Sequence, residues 1–235
     1  RVARVGENGI GGGRVGADNA VRRRATCESN IVWCKKYSAM RFTNTRQPDW
    51  DWWGRLWPTP GETLRELGLS PGDSVAEIGC GNGYFALPAA RIADPAPVYA
   101  VDIDEGLLAE LDRLAERHEV DALHTVHGDA RSLPKHLPEP VDVALIANTF
   151  HGVDDPGGFV AGVVEALAAD GRFVVLNWHD LPREETRVAG DARGPPTDLR
   201  LTPTETEELV EDASDLRAVE RVEIPPYHYG VVFEQ

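Results

Sequence analysis

The sequence is poor in lysine, methionine and cysteine, and it lacks any long apolar run. Three lysines stand against 21 arginines, and Met40 is the lone methionine among 235 residues. No stretch approaches the roughly 18 consecutive apolar residues of a spanning helix, which excludes a membrane partner of that kind. The N-terminus has no apolar core of the sort a secretory signal carries. The three cysteines, Cys27, Cys34 and Cys80, are too few for a disulfide framework and match no common zinc spacing. Together these absences point to a reduced, cytoplasmic setting with no bound metal.

Positive charge is scarce outside the first stretch. Residues 1–39 hold eight Lys/Arg against three Asp/Glu, a net of +5, while the other 196 residues hold 16 against 36, a net of −20. A body this acidic and this poor in lysine fits a halophilic protein, kept hydrated by surface carboxylates. It argues against a nucleic-acid partner, because phosphate binding relies on Lys and Arg. That argument weakens in molar salt, where the Debye length shrinks to about 3 Å.

The first 39 residues differ in kind from the rest. They carry Gly9, Gly11, Gly12 and Gly13 and the run Arg22-Arg23-Arg24, without a sustained period of strand or helix. Met40 stands at the compositional break. Residues 1–39 therefore read as a disordered basic tail or an extension from a misassigned start, and residues 40–235 as one domain. A basic arm for nucleic acid fits less well, since interleaved aromatics are missing.

Beyond Met40 short apolar strands alternate with helices. Thr59-Pro60-Gly61-Glu62 predicts a capping box opening a helix through Leu64 and Leu67, closed by Gly68 and Pro71-Gly72. Strands are expected at 74–78, 98–102, 122–126, 141–147 and 172–178, with helices at 84–92, through Leu107–Leu114, and through Phe159–Leu167. Thr202-Pro203-Thr204-Glu205 predicts a second capping box and a helix to Ala213. Two last strands, 217–224 and 227–234, are joined by Pro225-Pro226 and must pair antiparallel as a hairpin at the sheet edge. The fold class is α/β: a doubly wound, mostly parallel seven-stranded sheet with a C-terminal antiparallel hairpin.

The chemistry concentrates at Glu77-Ile78-Gly79-Cys80-Gly81-Asn82-Gly83, a strand running into a glycine turn and then a helix. Glycines there permit unusual backbone angles and close approach of a ligand. A dinucleotide loop wants G-x-G-x-x-G. Here the order is G-x-G-x-G, Tyr84 stands where the third dinucleotide glycine would fall, and no Lys-Ser/Thr pair makes a phosphate loop.

This order resembles the first motif of class I S-adenosylmethionine (SAM)-dependent methyltransferases. The likeness continues through Asp102-Ile103 at the end of the second strand, His127-Gly128-Asp129-Ala130 at the third, Val141 to Asn148 at the fourth, and Asp170-Gly171-Arg172-Phe173 before the fifth. The resemblance implies a Rossmann-like fold over about residues 60–235 and SAM as cofactor, converted to S-adenosylhomocysteine (SAH). It implies Glu77 on the methionine ammonium, Asp102 with Ile103 at the ribose, Asp129 with Ala130 at the adenine, and the backbone of Gly79, Cys80, Gly81, Asn82 and Gly83, with Asn148, along the ligand. Read alone, Asp102 and Asp129 are also ordinary strand-end residues. Cys80 is a small loop residue there, not a nucleophile.

Methyl transfer needs positioning, plus a base if the acceptor carries a proton. His151, just past the fourth strand, is the candidate base; a loop histidine that packs the cofactor or faces solvent is the plainer reading. Trp50, Trp53 and Trp57 fall at helical spacing, and with Trp178 and Tyr227 they are candidates for the acceptor pocket or a lid over it. Packing of the pre-domain helix on the body is the simpler use of the three tryptophans. Ile224-Pro225-Pro226-Tyr227 superficially matches an N/D-P-P-Y element of nucleic-acid methyltransferases, but it sits between the last two strands and lacks the Asn or Asp. The expected function is methyl transfer from SAM to a small-molecule O, N or C acceptor. The alternatives are an RNA or protein methyltransferase, or a SAM- or nucleotide-binding module without catalysis.

Overall fold

The computed structural model describes residues 50–235. The expected tail at 1–39 lies outside the described residues, as does the side chain of Trp50.

The run of strands buried along their whole length decides the architecture. Strands β1 (Val75–Ile78), β2 (Val98–Asp102) and β4 (Val141–Ala147) are apolar nearly throughout, so helices must cover both faces of the sheet. The remaining elements are α1 (Trp50–Leu56), α2 (Pro60–Glu66), α3 (Ala86–Ala93), α4 (Glu105–Arg117), β3 (Leu123–His127), α5 (Pro156–Ala166), β5 (Leu167–Trp178), a two-residue pair β6 (Arg187–Val188) and β7 (Asp191–Ala192), α6 (Pro203–Ala213), β8 (Arg217–Ile224) and β9 (His228–Glu234). The seven-stranded sheet runs β3-β2-β1-β4-β5-β9-β8, and only β9 is antiparallel to its neighbours. Order reverses between β1 and β4, so their C-terminal ends open a crevice at the switch point, where such folds take ligands.

The expected hairpin forms, with its later strand lying inside: β9 pairs with both β5 and β8, leaving β8 at the edge. Burial follows position. Strand β9 is buried through Phe233, whereas β8 is largely exposed until Ile224. The other edge, β3, is exposed in the same way, which explains its weak hydrophobic signal. Strand β5 starts earlier than expected, because residues between Leu167 and Arg172 form a bulge against β4 instead of a free turn.

The two predicted capping boxes differ. Thr202 accepts from the Glu205 amide while Glu205 accepts from the Thr202 amide, completing the box at α6. At α2 the Thr59 hydroxyl makes no cap bond, and Pro60 alone marks the first turn. The short α2 therefore depends on packing of its buried Leu64 more than on its cap.

Candidate active site

The glycine turn after β1 is built from three left-handed glycines, Gly79, Gly81 and Gly83, at φ +69°, +56° and +90°. Two of them serve different neighbours. A Cβ on Gly79 would sit 3.1 Å from the Thr149 methyl, so this glycine lets the loops after β1 and β4 approach. A Cβ on Gly83 would fall 2.2 Å from Leu111, so that glycine lets α4 close on the loop. Asp102 ties the turn to β2: one carboxylate oxygen accepts from the Gly81 amide at 2.8 Å and the other from the Asp104 amide at 2.9 Å.

Glu77 lies beside this turn, 2% exposed, and its Oε2 has no hydrogen-bond partner. Burial first, and the Asp102 charge second, push its carboxyl well above the usual range. Asn148 is a second strained and unsatisfied group. It adopts φ +57°, rare outside glycine, and both polar atoms of its buried amide lack partners. A native fold seldom buries such groups without a use for them.

These residues share one cavity of about 740 Å³ at the switch point. Its wall brings together Glu77, Gly79, Cys80, Gly81, Asp102, Ile103, Asp129, Ala130, Asn148, His151, Trp53 and Trp178. Other expected residues stand off it. Asn82 is buried in the turn, and Gly83 packs on Leu111. Trp57 packs against Phe85 and His228, and Tyr227 stacks behind Trp178 with its hydroxyl on the Arg187 backbone. Helical spacing made Trp53 and Trp57 one set, but α1 ends at Leu56, and it is Trp52 that joins Trp53 on the cavity.

Asp129 is more occupied than its place suggested. Its carboxylate accepts the Arg131 backbone amide and makes a bidentate pair with the Arg131 guanidinium, which holds it below the usual carboxylate range. Cys80 is buried, and burial with the nearby Glu77 pushes its thiol up, so it stays protonated.

His151 sits on the turn Phe150–Gly152, 5% exposed, with Nδ1 3.1 Å from Asn177 Oδ1. Burial lowers it to about 4, the Asn177 bond opposing and the Arg200 charge adding, so the ring is neutral near pH 7.

Sequence reasoning missed the segment between β5 and α6. Arg193, Gly194, Pro195 and Pro196 line the cavity. Arg200 holds them there. Its guanidinium donates to the carbonyls of Pro195, His179, Leu181 and Arg193 and to the Thr186 hydroxyl, and it lies 5.2 Å from the Trp178 ring centre. The Arg193 guanidinium stands 4.8 Å over Trp52, joining this segment to α1. Only the burial of Arg200 without an acidic partner marks the segment, and no sequence pattern signals that.

The sheet order β3-β2-β1-β4-β5-β9-β8, with a glycine turn, a buried glutamate and a strand-end aspartate at the switch point, is that of the SAM-dependent methyltransferase architecture. Comparison with known proteins agrees. Residues 76–175 match the family described as a methyltransferase domain. A probable cobalt-precorrin-6B C(15)-methyltransferase (decarboxylating) of Methanosarcina mazei is 28% identical over 117 residues, 49% of this chain and 60% of that protein. A tRNA (guanine(6)-N2)-methyltransferase of Thermus thermophilus is 36% identical over 102 residues, 43% of this chain and 30% of that protein. The chain thus spans less than two thirds of each of these two relatives. Among solved structures, a SAM dependent methyltransferase from Aquifex aeolicus superposes with TM-score 0.66 at 23% identity, over 77% of this chain and 92% of that one. Residues 76–175 thus match a methyltransferase domain, set in a body with the fold of SAM-dependent methyltransferases.

Proposed function

We propose that the protein transfers a methyl group from SAM to a small-molecule acceptor. The observation that carries this is the partnerless Glu77 oxygen, buried on the wall of the cavity beside the glycine turn. A buried carboxylate without a partner is costly unless a cation completes it, and the SAM ammonium is such a cation. Asp102 keeps acceptor capacity for the ribose hydroxyls beyond its two backbone bonds. Asp129 and Ala130 bound the adenine end, and the Asn148 amide, with both atoms unpaired, offers the ligand a donor and an acceptor.

SAM supplies an electrophilic methyl on a sulfonium; the chain's part is to hold both reactants and exclude water. With Asn177 Oδ1 turned toward the ring, that oxygen can only accept, so His151 Nδ1 carries the proton and Nε2 is the basic nitrogen. Neutral His151 then takes a proton from a hydroxyl or amine acceptor as the methyl bond forms. Trp52, Trp53 and the Arg193–Pro196 segment line the cavity.

Calorimetry with SAH tests the cofactor claim directly. Glu77→Gln should weaken binding about tenfold or more, the loss expected for one charge-assisted hydrogen bond. Undetectable SAH binding by the wild type would sink the proposal. The tRNA methyltransferase relative supports a second reading, an RNA acceptor. Against it stands the net charge of −15, and retention of tRNA at low salt would favour it. We further read the acidic, lysine-poor composition as adaptation to high salt in a cytoplasmic protein.

A further inference from the structure

We infer that Tyr229 is a positioning residue for the base: acting through Asn177, it fixes which nitrogen of His151 carries the proton. This rests on the methyltransferase reading with His151 as base, and adds what holds that base in its working form.

A row of buried polar groups runs inward from the cavity wall. His151 lines the cavity, and behind it Asn177, Tyr229 and Thr206 are fully buried. Asn177 interrupts the apolar end of β5, between Leu176 and Trp178. An amide buried there is costly unless its bonds are used. Its Oδ1 lies 3.1 Å from His151 Nδ1. The two ends of an amide have the same shape, so this contact has two forms. With Oδ1 toward the ring, Nδ1 carries the proton; with Nδ2 toward it, Nδ1 must be bare and the proton moves to Nε2.

Tyr229 separates the two forms. It is the register partner of Asn177 across β5 and β9, so their side chains are neighbours on one face of the sheet. A phenol has a single proton. The Leu201 carbonyl at 3.0 Å can only accept it, with the Thr202 carbonyl beyond at 3.3 Å. The Thr206 hydroxyl, 2.7 Å away, then donates to the Tyr229 oxygen. That oxygen is left with a lone pair to offer Asn177, which attracts the NH2 end of the amide and repels the C=O end. Burial pushes the Tyr229 hydroxyl up, and Thr206 and Asn177 oppose the rise, as groups donating to its oxygen do. Nδ2 makes no hydrogen bond of ordinary length, so the preference is one of orientation, not of a tight bond. The origin of the row is firm, because Thr202 is the N-cap of α6 and is held by the capping box with Glu205. Orientation thus passes from the start of α6 to Tyr229, then to Asn177, and leaves the basic lone pair of His151 on Nε2.

Proton–nitrogen NMR of the imidazole rings in the intact protein at neutral pH tests this, with the His151 signals identified by their loss in His151→Gln. A histidine without such a partner prefers its proton on Nε2, so Nδ1–H is diagnostic. The wild type should show Nδ1–H. Tyr229→Phe should lower the ratio of Nδ1–H to Nε2–H about fivefold or more, as for one neutral hydrogen bond, with SAH affinity near the wild type. Asn177→Leu should move the proton to Nε2, and in that background Tyr229→Phe should change nothing further. A wild type with Nε2–H overturns the inference. So does a ratio untouched by Tyr229→Phe, an equal effect of that change in the Asn177→Leu background, or a parallel loss of SAH affinity. The wild type also decides alone, should Tyr229→Phe fail to fold. Cross-relaxation from the Asn177 NH2 protons should be stronger to the Tyr229 ring than to the His151 ring, and the reverse overturns the inference. Failure of the wild type to bind SAH is a different result, which overturns the methyltransferase reading whatever the tautomer.

Discussion

At the scale of single residues, the site is set by groups whose ionisation the fold has displaced. Glu77 is held above the usual carboxylate range by burial and by Asp102. A cation arriving beside it favours the ionised form, so SAM or SAH binding should release a proton. Calorimetry in two buffers of different ionisation enthalpy, repeated at several pH values, reads this as a buffer-dependent heat. Glu77→Gln should abolish the difference, and a wild type without it contradicts the assignment.

His151 moves the other way, from 6.5 to about 4 under burial. The folded protein then resists a proton that the unfolded chain accepts. This contribution is intact above about pH 6.5 and is lost as pH falls toward 4. Between pH 7 and about pH 5 the loss from this one ring is about 2 kcal/mol. Urea titrations at both pH values should show His151→Gln losing less stability than wild type by about that amount. Equal losses in the two proteins would refute the displaced histidine. Asp102 and Glu77 were legible in the sequence because a ligand-binding glycine turn constrains the residues on both sides of it. The bidentate hold of Arg131 on Asp129 was not, since a pair two residues apart looks like any surface turn.

At the scale of elements, similar capping sequences met different fates. Thr202 and Glu205 exchange bonds and Thr59 makes none. Thr202→Ala should therefore cost about 1 kcal/mol of stability, and Thr59→Ala only a few tenths of that order. Thermal melts of both variants check the contrast, and equal losses would deny it. The strand and helix order was readable throughout the sheet, because buried strands are continuous apolar runs and capped helices announce their starts. The segment from His179 to Arg200 was not. It has no period, and its course is set by Arg200 reaching carbonyls up to 21 residues away. For α1 the spacing found the buried pair Trp53 and Trp57 and missed Trp52, which lines the cavity.

At the scale of the whole molecule, charge rather than packing sets the response to solvent. A net charge of −15 repels itself in the compact state. Raising sodium chloride from about 0.1 M to about 1 M shortens the Debye length from about 10 to about 3 Å. The melting temperature should rise over that range, and a flat or falling curve would show that self-repulsion is not a main cost. The acidic balance was legible at once; the placing of Arg193 on the cavity, with Arg200 bonded to its carbonyl, was not, because it depends on the fold.

The place of β9 has a consequence in time. Residues 228–234 are synthesised after β8, yet they lie between β5 and β8. On a ribosome the strands β1 to β5 can assemble as they emerge, whereas β8 leaves the tunnel with no partner to receive it. Until its successor is inserted, the flank of β5 that is later buried stays open to other chains. The nascent protein is thus most exposed to mispairing just before its sheet is completed.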